Sequence, residues 1–235
     1  MLSADYIDLY CERTAPGFWN EPLNALTNLS FIAAALFALY LVQQRGRHPD
    51  FAELILIVLA ASIGVGSFLF HTLANAWSEV ADVIPIWTFV AFYIVTLIYR
   101  ATGENLYRTL RDSFVALGLT AIIFWFTSNA VLTETDAGPD PFNGSLQYLP
   151  AVVALLVTTM LMYIRKHPAR HYFALATMTF FISLTFRTID LIICSYFPFG
   201  THFMWHLLNG LMIGLLLAAL ILKMPPIRLK TRRDQ

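Results

Sequence analysis

Charge is scarce in this chain. Asp, Glu, Lys and Arg make up 13% of its 235 residues, where a soluble domain carries about 25%. With 58% hydrophobic residues and a mean hydropathy of +0.64, the composition is that of a membrane protein. The net charge is zero, which excludes the basic footprint of a nucleic-acid partner. No basic stretch precedes the first apolar run, because the opening residues carry Asp5, Asp8, Glu12 and Glu21. A cleavable signal peptide needs that basic start, so none is expected. Internal repeats, low-complexity tracts and composition shifts are also missing, and a single domain over 1–235 is expected. Loop 133–147, with Gly138, Pro139, Pro141 and Gly144, reads as a polar turn region.

Lys and Arg are absent from the loops near 73–81, 133–147 and 195–201. Apolar runs long enough to span a bilayer lie at about 24–43, 52–72, 83–99, 113–132, 148–164, 171–193 and 203–223. With these seven helices, one side receives Arg45, Arg47, Arg100, Arg108, Arg111, Arg165, Lys166, Arg170 and Lys223. The tail adds Arg228, Lys230, Arg232 and Arg233 to that side, making thirteen of the 15 basic residues. An even count of helices would scramble this partition. By the positive-inside rule the basic side is cytoplasmic. The expected fold is therefore all-α, a seven-transmembrane-helix bundle with its N-terminus outside and its C-terminus cytoplasmic. Residues 1–23 form an outer segment and 224–235 a cytoplasmic tail.

Only two cysteines are present, Cys11 and Cys194, and both fall on the outer, oxidising side. A disulfide between them is expected, stapling the N-terminal segment over the mouth of the bundle.

Histidine is the conspicuous residue at membrane depth, where ionisable groups are costly and functional by default. His71 ends the second span and Asp82 follows eleven residues later; His202 and His206 open the last span. The alternation of the helices brings all four to the outer end. His202 and His206 share a helix face at i, i+4. Ser67 has the same spacing from His71 and points to the same place from about 6 Å deeper. His48, His167 and His171 lie by basic loops and read as solvated. Three imidazoles suit zinc and leave a fourth position for water, whose pKa falls to about 7. Asp82 then fits a general base and acid, and Ser67 a donor to an oxyanion. That is the chemistry of amide or ester hydrolysis.

The spaced set Ser-x-x-x-His, Asp82-Val83-Ile84-Pro85 and His-x-x-x-His resembles the alkaline ceramidases, within a superfamily of seven-helix membrane hydrolases that includes adiponectin-type receptors. Tyr10-Cys11-Glu12 and the run Glu21 to Leu29 are similar to the N-terminal signature of that family. The resemblance implies zinc on His71, His202 and His206, catalysis by Asp82 and Ser67, and hydrolysis of ceramide or a related N-acyl lipid to an amine base and a fatty acid. It places the site on the non-cytoplasmic side. It also implies a calcium site in the N-terminal segment, where the match is partial: Glu12 and Glu21 fall on acidic positions, and Tyr10 offers a backbone carbonyl. Asp8, however, is displaced by one residue with Leu9 in its place, and Thr14 stands at an Asn position.

Arg187 and Asp190, at i, i+3 in the sixth span, read as a helix-orienting ion pair; the alternative gives Asp190 a part in shaping the cavity or tethering the N-terminal segment. Gly210 and Gly214 form a small face for a neighbouring helix. Phe68, Phe70, Trp77, Trp87, Phe203 and Trp205 read mostly as lipid-facing or interfacial packing, with the lining of an acyl-chain cavity as the alternative for some of them. A receptor or lipid-binding protein with a structural zinc is the competing class, and bis-histidine haem ligation a weaker third. A structural site has no use for Asp82 and Ser67, which favours the enzyme.

Overall fold

A computed structural model describes residues 6–103, 105–133, 140 and 142–227. Residues 134–139 and 141 of loop 133–147 and 228–235 of the tail lie outside the described residues, as do residues 1–5 and 104. Among the described residues the chain is helical, with seven spans long and apolar enough to cross a membrane. The first comprises α1 (Pro22–Thr27) and α2 (Leu29–Gln44), separated by Asn28. The others are α3 (Phe51–Leu73), α4 (Ala76–Ala101), α5 (Leu106–Thr133), α6 (Leu149–Ile164), α7 (Arg170–Ile189) and α8 (His202–Lys223).

Local signals set the ends. Pro22 opens α1, where its missing N–H costs nothing. Capping boxes start α3, from Asp50 and Glu53, and α4, from Asn75 and Ser78. The second box starts α4 seven residues before the apolar run expected at 83–99. Asp82 therefore lies in the second turn of α4 rather than at its start. Likewise, α5 begins at Leu106 rather than 113, and α7 stops at Ile189, short of 193.

The bundle is arranged around α8, which packs against α2 and α7 along its length and touches α1 and α3. Leu56, Ala60, Phe173, Leu217 and Leu220 form its dry interior. Outward-facing side chains such as Leu36, Val58, Phe114 and Trp125 are apolar and exposed, as a lipid-facing surface requires.

Two glycines set the approach of helices at the histidine end. A Cβ on Gly66 would strike the carbonyl of Ala81, so the glycine lets α3 and α4 meet beside Asp82. A Cβ on Gly210 would strike Ser30, whose hydroxyl donates to the His206 carbonyl at 2.8 Å. Gly214 is in ordinary contact with Ala34, so the small face operates mainly through Gly210.

At the opposite, basic end, the Arg100 guanidinium is fully enclosed. It donates to Asp50 at 2.6 Å, Glu53 at 3.1 Å and the Leu220 carbonyl at 3.0 Å. Arg47 adds two bonds to Glu53, at 2.6 and 2.8 Å.

Gly66→Ala is expected to lower stability by about 1–3 kcal/mol, the range for overpacking a tight contact. Thermal unfolding in detergent checks this; an unchanged midpoint would show that α3 and α4 have room to separate.

Candidate metal centre

The ring nitrogens of His71, His202 and His206 converge, with ligand atoms within 4.8 Å of one another, and all three side chains are buried. They are the only group of three or more His, Cys, Asp or Glu residues so placed among the described residues. Ring centroids are 4.7 Å apart for His71–His206 and His202–His206, and 5.2 Å for His71–His202.

Hydrogen bonds at the outer edges of the rings fix which nitrogens face inward. His71 Nδ1 meets the Glu21 carboxylate at 2.5 Å. Burial alone would raise the Glu21 carboxyl, but His71 and Arg13 outweigh it and hold the group below its ordinary value. With its other oxygen ion-paired to Arg13, Glu21 is the carboxylate acceptor of this bond, so Nδ1 is the donor of a ligating His71 and Nε2 the nitrogen left for a metal. His206 Nδ1 lies 3.0 Å from Thr27 Oγ1. The Thr27 proton is taken by the carbonyls of Leu23 and Asn24, so His206 donates and again presents Nε2. On His202, Nδ1 is buried with no hydrogen-bond partner. An enclosed, unpartnered imidazole nitrogen beside two inward-facing ones fits a divalent metal with nitrogen preference.

An N-terminal strap, residues 6–21, closes over this cluster. Tyr10 stacks on His202 with centroids 3.6 Å apart, and Arg13 bonds Glu21, the Gly17 carbonyl and, at 2.7 Å, the His71 carbonyl. The Cys11–Cys194 disulfide is formed, with its Cα atoms 5.5 Å apart. Asp190 joins strap and helix: Oδ2 accepts from the Cys11 amide at 3.0 Å, while Oδ1 accepts from Thr201 at 2.6 Å and His202 at 2.9 Å. The carboxylate thereby satisfies N–H groups at the start of α8, which the helix dipole favours.

Ser67 and Asp82 face the same cavity as His202 and His206. Asp82 Oδ1 is buried without a partner. Below them the cavity descends along α8 from His202 to Leu216, about 21 Å at 1.5 Å per residue, between apolar walls that include Phe89, Tyr93, Leu97 and Leu155.

Several expectations need correction. Arg187 and Asp190 are not an ion pair: Asp190 turns to the amides of α8 and the strap, the tethering role, and Arg187 turns into the cavity. The expected calcium residues form no group of three converging ligands among the described residues. Glu12 accepts from the amides of Leu23 and Asn24, both at 2.8 Å, and Glu21 is engaged by Arg13 and His71. Asp8 is exposed and bonded to Tyr6, Thr14 is exposed, and Tyr10 contributes its ring to His202. The buried Arg13 guanidinium supplies the positive charge beside Glu21 that a cation would bring. Burial raises the Glu12 carboxyl despite its two amide donors. Of the six aromatics, Trp87 and Trp205 take the cavity-lining alternative, Phe70 is buried, and Trp77 alone is largely exposed. Thr27 was not anticipated as a partner of the histidines; its distance in sequence from His206 leaves no spacing to read.

A family model described as ceramidase matches residues 10–233, nearly the whole chain. No curated protein and no solved structure matches significantly.

Outer partners of ligating histidines raise metal affinity by about 10–100-fold. Glu21→Gln and Thr27→Val are each expected to weaken metal binding by a factor in that range, read by competition with a chelator. Unaltered affinity in both would mean that the rings are held by packing alone.

Proposed function

The chain belongs to the ceramidase family, and from that membership together with the site we propose a zinc-dependent membrane amidohydrolase that cleaves the amide of ceramide or a related N-acyl lipid into an amine base and a fatty acid. Family membership makes it a membrane hydrolase of amide bonds. One observation carries the finer reading: three buried imidazoles converge beside Asp82 and Ser67 at the head of a long apolar cavity. His71, His202 and His206 would hold the metal, and zinc there supplies a Lewis acid that polarises a carbonyl and acidifies water.

The protein's own residues then have distinct work. Asp82, with an unpartnered oxygen, accepts the proton of the attacking water and returns it to the leaving amine nitrogen. The Ser67 hydroxyl donates to the oxygen that gains charge as the carbonyl carbon becomes tetrahedral. The apolar walls bind an acyl chain and exclude bulk water from the amide. Three protein ligands rather than four leave a position for chemistry, which weighs against a purely structural zinc. In the proposed orientation the basic end is cytoplasmic, so the site opens to the non-cytoplasmic side, and 1–235 forms one functional unit.

His202→Ala and His206→Ala are each expected to lose most bound zinc, measured by elemental analysis of purified protein; stoichiometric zinc in both would remove these ligands from consideration. Asp82→Asn is expected to keep zinc and fold while losing nearly all fatty-acid release. Ser67→Ala should reduce kcat by about 10²–10³ with a smaller effect on KM. Wild-type turnover by Asp82→Asn would refute the proton-transfer role.

A further inference from the structure

Arg187 carries a charge that no carboxylate among the described residues contacts. Its side chain is buried in the cavity wall, where a charged residue is almost never found unpaired. No ion pair involves it. Of the five N–H donors on a guanidinium, one is used, from Nη1 to the Tyr10 hydroxyl at 3.0 Å. Nε is enclosed with no acceptor. The nearby carboxylates make no ion pair with it: Asp190 holds the start of α8, Glu21 lies between Arg13 and His71, and Asp82, in the same cavity, acts on it only through space.

What surrounds the guanidinium holds its charge and leaves its donors free. The rings of Tyr10, Tyr148 and Trp205 stand 5.6, 5.3 and 5.4 Å from its Cζ. Aromatic faces stabilise a cation without consuming N–H groups. Gly144 keeps the approach to Nη2 clear, since a Cβ there would stand 3.1 Å from that nitrogen. A planar fork with unused donors, in a water-poor cavity, is matched by a carboxylate or phosphate.

We infer that Arg187 is an oxyanion-binding site in the cavity, which takes the carboxylate or phosphate of the amphiphile lying there. The inference rests on the N-acyl lipid reading for what that amphiphile is. Two sources share the chemistry: an acidic headgroup on the substrate, and the fatty-acid carboxylate released by cleavage.

The test compares three ligands of equal chain length on the metal-loaded protein in neutral detergent: palmitate, an N-palmitoyl lipid with a phosphate headgroup, and one with a neutral hydroxyl headgroup. Binding is read by the shift in unfolding temperature and by competition, on wild type, Arg187→Met and Arg187→Lys, with metal content measured alongside. Wild type is expected to bind at least one acidic ligand about 10–100-fold more tightly than the neutral one, the value of a charged hydrogen bond. That preference should vanish in Arg187→Met and weaken in Arg187→Lys. Preference for the phosphate headgroup identifies the substrate as the source; preference for palmitate identifies the released acid. Equal binding of all three by wild type overturns the inference without recourse to a variant. So does a preference that persists in Arg187→Met with its metal retained, because the metal then accounts for it. Fatty-acid release from both N-acyl lipids is measured separately. Acid preference without cleavage sinks the hydrolase reading and keeps Arg187; cleavage without acid preference does the reverse.

Discussion

A carboxylate shared between a guanidinium and an imidazole holds the histidine end together. Glu21 is bonded to both Arg13 and His71, and all three side chains are buried. Removing Glu21 or Arg13 leaves the other charge buried and uncompensated, at a cost of about 3–5 kcal/mol. The strap is therefore as much a part of the centre as the spans are. It supplies the outer hydrogen bond of one candidate ligand, the stacking partner of a second and, through Asp190, a link to the first turn of the helix that bears two of them.

The basic end meets the same requirement differently. Arg100 carries its charge into the bundle, but two carboxylates and the Leu220 carbonyl meet it there. That carbonyl lies near the C-terminal end of α8, where the helix dipole favours a cation. Asp50 also accepts from the Ile227 amide at 2.8 Å, so the network ties the chain beyond α8 to the loop before α3. Each end of α8 is thus anchored by a charge opposite to its dipole: Asp190 at the start and Arg100 near the finish.

The seven spans were legible because hydrocarbon demands long apolar runs, and that signal survives in any sequence. The depth of Asp82 was misjudged because hydropathy drops across Ala76 to Ala81, although the Asn75–Ser78 capping box was there to mark the earlier start. The convergence of His71, His202 and His206 followed from the alternation of helices; the disulfide followed from both thiols lying at one end. Spacing misled at Arg187 and Asp190, since i, i+3 proximity does not compete with three backbone amides that only the folded strap and α8 present to Asp190. Glu21 and Thr27 were illegible as histidine partners, because nothing in the sequence says which face of a ring remains to be filled.

Cys11 and Cys194 are separated by 183 residues, and this imposes an order on biogenesis. At synthesis rates of about 5–20 residues per second, the first thiol emerges roughly 10–40 s before its partner. Over that interval the strap has neither its covalent anchor nor the α8 surface on which Tyr10 rests. Glu21 and His71 meet only partners from the early part of the chain, and the late pair His202 and His206 has yet to arrive. The ligands His202 and His206 are therefore the last members of the centre to be synthesised, and the disulfide can close only once the chain has reached Cys194, at the threshold of the last helix.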